Sequence, residues 1–295
     1  MVAPLVALAL GAALLVLHRL NLAEAVSPDG HRYRALGRRE PVPMPFALRW
    51  LLPLMLGDAV WRWRLSAYLH LLALPPLLAI WLRPWVDDAR LQVVGALLVC
   101  GLSGVWRIHI RWPVLVDGPA MTWALGCAVA FQYDQPVLGV ALAVIAGSVK
   151  ESGPVFAACF AWHLLPLIGL TVPLIRALTV RIGVDPMAQP HVTRYPVLAS
   201  RVHHLGRWFD ARSMILPWGA GILAALATDR QVQAMLAVTA ALAYGQLVIA
   251  TDTIRLYQWA APPVILGAMT VLPPDWAVLA LILHLFNPWA GTAEV

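Results

Sequence analysis

Charge is scarce in this chain. Of its 295 residues only 12% are Asp, Glu, Lys or Arg, about half the ~25% usual in a soluble domain. A soluble fold of this length has too few charges there to cover its apolar surface, and a disordered chain or a coiled coil is excluded with it. Cysteine is nearly absent. Cys100, Cys127 and Cys159 lie inside apolar runs without metal-ligand spacing, which excludes a disulfide-stapled secreted domain and leaves them as small core residues. Lysine is rarer still, with Lys150 alone against 20 arginines. No low-complexity linker, soluble domain or fixed-period repeat interrupts the chain. Apolar residues are what is abundant: 61% of the chain, with a mean hydropathy of +0.74. The class this leaves is an all-α, polytopic integral membrane protein. Its formal net charge of +6 then belongs to loops, where arginine sets orientation, and gives no support to nucleic-acid binding.

A spanning helix needs roughly 20 mostly apolar residues, and that rule predicts about ten. They are Val2–Leu17, Leu65–Leu82, Leu91–Val105, Ala120–Phe131, Pro136–Val149, Pro154–Ile175, Met214–Ala227, Val232–Ala250, Leu256–Val271 and Trp276–Phe286. The fourth and fifth form a short pair joined by Tyr133-Asp134-Gln135. Pro45–Gly57 is apolar but too short to cross, and reads as a juxtamembrane helix. With 24 prolines, many of these helices are expected to kink or break. The whole chain, 1–295, is expected to form one membrane domain. It divides into a core over 1–175, with its polar loop 18–44 and juxtamembrane helix 45–57, a basic loop over 176–212 and C-terminal helices over 213–295. The loop 176–212 carries six arginines against Asp185 and Asp210, which places it on the cytoplasmic side. Five helices separate it from 18–44, which is then outside, although Arg19, Arg32, Arg34, Arg38 and Arg39 make that loop basic too. An anionic ligand at the outer face is one reason for arginines there.

With this topology the turns after the third and fifth helices join loop 18–44 on one face, and ionisable groups collected at one membrane face are candidates for a site. Asp29 lies in Ser27-Pro28-Asp29-Gly30-His31-Arg32-Tyr33, where Pro-Asp-Gly is a turn signal and the plain reading is a carboxylate bonding its own backbone. The functional reading holds that carboxylate beside His31, Arg32 and Arg34. Asp117 sits in Leu115-Val116-Asp117-Gly118-Pro119, just before a helix start. Helix capping stands there against a catalytic or metal-binding role. Arg107 and Arg111, four residues apart, share a helical face where snorkelling to headgroups is the plain alternative. Lys150 and Glu151 end the short-helix pair, and Glu151 has pairing with a neighbour as its simpler role. Arg49, inside the juxtamembrane helix, is expected to face a polar cavity or headgroups. Arg255 belongs to Thr251-Asp252-Thr253-Ile254-Arg255, on the cytoplasmic side by the same helix count. His191, His203 and His204 read as solvated loop residues, and His163 and His284 as hydrogen-bonded packing residues.

The order of these elements resembles polytopic bacterial glycosyltransferases of the GT-C superfamily, the polyprenyl-phosphate-sugar-dependent class. The resemblance rests on Asp29-Gly30-x-x-Tyr33 after a first helix and on Arg49 with Pro53 in a juxtamembrane segment. It continues with Leu115-Val116-Asp117-Gly118-Pro119-Ala120 opening a short-helix pair that Lys150-Glu151 closes, and with Thr251-Asp252-Thr253-x-Arg255. It covers residues 1–175 and 251–263. Its order, rather than any one motif, carries it. Two departures stand out: Asp29 is followed by Gly and His rather than by a second acid, and the long C-terminal helices and soluble domain of larger members are missing. The resemblance implies a multi-pass protein of the bacterial inner membrane that acts at the extracytoplasmic face by inversion. Asp29 takes the place of the essential acid that serves as general base. Asp117 takes that of a second acid contacting donor phosphate or a metal, for which Mg²⁺ or Mn²⁺ is the expected hard cation. Arg32, Arg34, Arg49, Arg107, Arg111 and Lys150 are the donor-phosphate candidates, with Glu151, His31 and Arg255 as further site candidates. The partners implied are membrane lipids, a polyprenyl-phosphate sugar, an acceptor glycan, lipid or protein, and a membrane-protein partner. A lipid tail would need an apolar groove, for which Pro45–Gly57 with Trp50, Trp61 and Trp63 are candidate walls. The reading that competes with this one is a non-catalytic membrane subunit, scaffold or transporter.

Overall fold

The computed structural model describes residues 2–183, 211–248 and 254–289, and every secondary-structure element among them is helical. In chain order the α-helices are α1 Val2–Asn21, α2 Pro28–Gly37, α3 Leu51–Leu56, α4 Val60–Leu82, α5 Ala89–Leu98, α6 Ile108–Arg111, α7 Asp117–Gln132 and α8 Pro136–Val149. They continue with α9 Gly153–Ala161, α10 Thr171–Thr179, α11 Ala211–Met214, α12 Arg230–Gly245, α13 Ile254–Tyr257, α14 Ala261–Val271 and α15 Ala277–Leu285. Most of the basic loop, 184–210, and Thr251–Thr253 of the Thr-Asp-Thr-x-Arg motif lie outside the described residues.

Among the described residues two helices, α1 with 20 residues and α4 with 23, are long and apolar enough to cross a membrane. The number rises to four if each of two bent pairs counts as one span: Ala89–Gly101 with Ser103–Arg111, and Ile254–Val271 with Pro274–Leu285, the latter bent by 119°. Fewer helices reach spanning length than the apolar runs suggest, because hydropathy records burial or lipid contact and is blind to where the backbone turns. The run 214–227, for example, becomes a tight 3₁₀ stretch, Leu216–Leu226, interrupted by Gly219 at φ 52°. α7 and α8, with 16 and 14 residues, are each shorter than a typical span.

The chain forms two compact units. The first takes its described residues from Met1–Leu14, Leu78–Arg107 and Ala188–Val295, the second from Leu15–Leu77 and Ile108–Met187. In the first unit Asp88 caps α5 by accepting from the Arg90 and Leu91 amides, and Asp229 caps α12 through the amides of Gln231 and Val232. His284 of α15 is buried and threads between two backbones. Its Nδ1 accepts from the Ala220 amide at 3.2 Å, so its Nε2–H donates to the Leu98 carbonyl at 2.7 Å. Both ring nitrogens are thereby used and the neutral tautomer is fixed. Gly101 and Gly219 lie against this ring, where a Cβ would come within 2.4 Å of it.

In the second unit, α7 and α8 form an antiparallel hairpin. α7 ends where Asp134 takes a left-handed conformation, φ 53°, and the Gln135 amide reaches back to the Ala130 carbonyl at 2.9 Å. Pro136 then opens α8 at a position where a missing N–H costs nothing. Gly147 and Gly169 let the 3₁₀ segment Leu165–Leu170 approach α8 closely, since a Cβ on Gly147 would sit 2.4 Å from the Gly169 carbonyl oxygen.

Candidate functional site

The α7–α8 hairpin sets up the centre of the second unit. Antiparallel packing returns the chain to where it began, so the first residue of α7, Asp117, meets the residue that ends α8, Lys150. They form an ion pair with side chains 4% and 2% exposed. Each charge lies at the helix end that suits it: the carboxylate at the positive N-terminus of α7, the ammonium at the negative C-terminus of α8. This replaces the expected helix cap. Val116 holds the cap position without a side-chain bond, and Asp117 is already helical.

Behind Asp117 stands a residue that sequence reasoning missed. The Gly118 amide donates to Nε2 of His109 at 2.7 Å, and His109 is 1% exposed. An accepting Nε2 is unprotonated, so His109 is neutral here. A Cβ on residue 118 would press against that ring at 3.0 Å. The glycine of Asp117-Gly118 is therefore what allows the contact. The glycine of Asp29-Gly30 has a parallel reason, because a Cβ there would lie 3.1 Å from Cβ of Val114 and 3.2 Å from its carbonyl oxygen. α2 is seated against the segment leading into Asp117, and a bond of 2.8 Å from the Ala25 amide to the Arg111 carbonyl adds to the seating.

The turn expected at Pro28-Asp29-Gly30 is instead the first turn of α2. Ser27 caps it by accepting from the Gly30 amide at 3.0 Å, with Pro28 at N1. On the helix Asp29 pairs with Arg32 at 3.0 Å, with both side chains 18% exposed, and Tyr33 falls on the same side at i+4. Tyr33, 1% exposed, lies edge-on to Phe46 and stacks with Trp63.

Arg49 ties these parts together. It follows the short 3₁₀ turn Phe46–Leu48 just before α3, rather than lying within a helix. Its guanidinium is bidentate to Glu151 at 2.6 and 2.8 Å and donates to the Tyr33 hydroxyl at 2.7 Å. Burial pushes the Glu151 carboxyl up, but Arg49, aided by Lys150, outweighs it and holds the group below its ordinary range. Burial likewise disfavours the charged Arg49, and the negative potential of Glu151 and Tyr33 more than reverses that. One aromatic ring completes the link to α2: the guanidinium carbons of Arg32 and Arg49 lie 4.8 and 5.5 Å from the centroid of Phe46.

Six of the residues singled out from sequence take part in these linked contacts: Asp29, Arg32, Arg49, Asp117, Lys150 and Glu151. Arg34, His31 and Arg111 belong to the same unit but not to these contacts, and Arg107 and Arg255 belong to the first unit. Arg34 donates to the Asp58 carboxylate at 2.6 Å, and His31 is exposed on α2. Arg111 is exposed with its guanidinium over Trp112. Arg107 ends a π-turn that runs directly into α6, which ends at Arg111. Arg107 belongs to the first unit, where it donates to the Leu285 carbonyl at 2.8 Å. Arg255 is in that unit too, buried in α13, which packs on Ser103–Arg107. Gly104 lets the backbones meet, and Gln258 accepts from the Gly104 amide at 2.8 Å. As for a metal, Asp117 Oδ1 is already engaged by Lys150, and among the described residues no group of three or more His, Cys, Asp or Glu side chains is placed to hold an ion.

An apolar groove of about 510 Å³ runs along α7 in the same unit, lined by Thr122, Trp123, Gly126 and Val129 of α7 with His70 of α4 and Leu142 of α8. It is not the groove expected near Pro45–Gly57: Trp63 is buried and Trp61 is 60% exposed. Compared with protein-family models, curated proteins and solved structures, the chain matches none.

Proposed function

We propose that this protein is a polytopic membrane glycosyltransferase of the GT-C type. It would transfer a sugar from a polyprenyl-phosphate donor to an acceptor hydroxyl at the extracytoplasmic face of a bacterial inner membrane, with inversion and with Asp29 as general base. The observation that carries the reading is the meeting of Asp29–Arg32, Arg49–Glu151 and Lys150–Asp117 around Phe46 and the open end of the α7–α8 hairpin. In the transfer step the acceptor oxygen bonds the anomeric carbon as its proton passes to the Asp29 carboxylate. The bond from that carbon to the phosphate oxygen breaks, and its electron pair leaves with the phosphate. The six side chains hold three positive and three negative charges. Protonation of Asp29 leaves them with one net positive charge, just as the departing phosphate gains one negative charge. Arg32, released from its carboxylate partner, and the neighbouring Arg49 and Lys150 supply the stabilisation. The apolar groove beside α7 is suited to the hydrocarbon tail. No step runs through a metal.

One observation favours the alternative, a non-catalytic membrane subunit, scaffold or transporter: Arg32, Arg34, Arg49 and Lys150 each already have a carboxylate partner. The deciding experiment is sugar transfer by the purified chain from a polyprenyl-phosphate sugar, comparing wild type with Asp29→Asn. Loss of a general base lowers the rate about 10²–10⁴-fold. Equal rates remove Asp29 from the chemistry, and absence of transfer by wild type across donor sugars favours the alternative.

A further inference from the structure

The second unit carries a cationic corner that the proposed chemistry does not use. Gly37 at the end of α2 rests on Gly57, where a Cβ on residue 37 would lie 2.7 Å from the Gly57 carbonyl. The last turn of α2 is thereby fixed beside the corner between α3 and α4. The acids of this corner are already engaged. Asp58 accepts from Arg34 at 2.6 Å and Arg38 at 3.0 Å, Glu40 pairs with Arg38 at 2.7 Å, and Glu24 takes Arg64 at 2.7 Å. Arg39 and Arg62, both exposed, have no carboxylate partner among the described residues, and Arg62 lies over the Trp61 ring at 5.4 Å. The corner therefore keeps a positive surplus on two unpaired guanidiniums.

These charges sit at the head of an apolar stripe. Met55 just before the corner is 66% exposed, and Trp61, Leu65 and Leu69, four residues apart on one side of α4, are 60%, 53% and 57% exposed. The stripe runs on along a helix long enough to cross a bilayer. An aromatic ring and a guanidinium at the start of such a stripe match the headgroup level, with hydrocarbon below and phosphate above. A soluble anion or an acidic protein would account for the charge but not for the stripe that continues it. We propose that this corner is a binding site for anionic phospholipid: Arg39 and Arg62 hold the headgroup phosphate, and Trp61 and Leu65 contact the upper part of the acyl chains. Leu69, at the far end of the stripe, also lines the groove along α7, but the headgroup site at Arg39, Arg62, Trp61 and Leu65 does not depend on the glycosyltransferase reading.

The test uses the full chain in phosphatidylcholine vesicles containing a small fixed fraction of brominated lipid, supplied either as phosphatidylglycerol or as phosphatidylcholine. The quenching of Trp61 is the difference between wild type and Trp61→Phe. Brominated phosphatidylglycerol is expected to quench it roughly threefold or more strongly than brominated phosphatidylcholine. That preference disappears in Arg39→Gln/Arg62→Gln, survives in Arg39→Lys/Arg62→Lys, and is unchanged in Arg90→Gln, an exposed arginine beside its own Asp88. Equal quenching by the two lipids in wild type, no quenching of Trp61 by either, or a preference that persists without both arginines overturns the proposal.

Discussion

Lys150 and Asp117 stand 33 positions apart in the chain and form a buried ion pair at the open end of a helical hairpin. Bringing two charges out of water is costly, and the pair repays the cost only while both partners are present. That asymmetry allows its structural part to be separated from any chemical one.

Lys150→Met leaves a buried carboxylate without its counter-ion and is expected to destabilise the protein by about 3–5 kcal/mol, whereas Lys150→Met with Asp117→Leu recovers most of that loss. Denaturation of the purified protein in one detergent, read for both single variants and the double, checks this. Additive losses would show that the two side chains do not depend on one another.

Glu151 gives the pH dependence. Its folded carboxyl titrates below its ordinary value because Arg49 and Lys150 outweigh its burial. A depressed carboxyl stabilises the fold above the unfolded value and loses that contribution as pH falls through the folded one. The wild type should therefore lose stability on acidification across the range below the usual Glu value near pH 4.3, and Glu151→Gln should show a flatter acid limb with lower stability at neutral pH. Midpoint temperatures measured across that range would sink the assignment if the two proteins fell in parallel.

Part of this arrangement was legible in the sequence. Asp29, Asp117, Lys150 and Glu151 were expected to gather, and the short pair joined by Tyr133-Asp134-Gln135 is a hairpin whose geometry brings Asp117 to Lys150. The partners were not legible, because ion pairing across 102 positions, as between Arg49 and Glu151, depends on packing that no local pattern encodes. His109 was hidden for the same reason: it sits between Arg107 and Arg111 and acts through the backbone of a later glycine. Pro28-Asp29-Gly30 misled as a turn because Ser27 before it supplies the cap and Pro28 a preset φ, which together open a helix. The span count exceeded the number of long helices because an apolar run does not reveal a break such as Gly219.

The Asp117-Gly118 step invites a paired test on two glycines of α7. Gly118→Ala puts a methyl against the His109 ring at 3.0 Å, whereas Gly126→Ala meets only a Leu142 methyl at 3.7 Å, ordinary contact. The first is expected to cost about 1–3 kcal/mol through overpacking, and the second to stabilise by about 0.4–1 kcal/mol through lost unfolded-state freedom. Because Gly126 also lines the groove along α7, Gly126→Ala should in addition weaken binding of a polyprenyl phosphate without lowering the melting temperature. Equal thermal shifts for the two variants would mean that His109 does not depend on residue 118.

His284 supplies a control in the first unit, which contains none of the six side chains assigned to sugar transfer. It joins the Ala220 amide to the Leu98 carbonyl through its two ring nitrogens. His284→Leu removes both partners and leaves a buried donor and a buried acceptor unsatisfied, at about 1–3 kcal/mol each. His284→Gln keeps an acceptor and a donor on one side chain and should retain part of the stability. If sugar transfer is the activity, both variants should keep the wild-type rate at temperatures where they remain folded, while Asp29→Asn loses it without a comparable loss of stability. Were His284→Leu as stable as wild type, the two hydrogen bonds would not contribute to holding α15 in place.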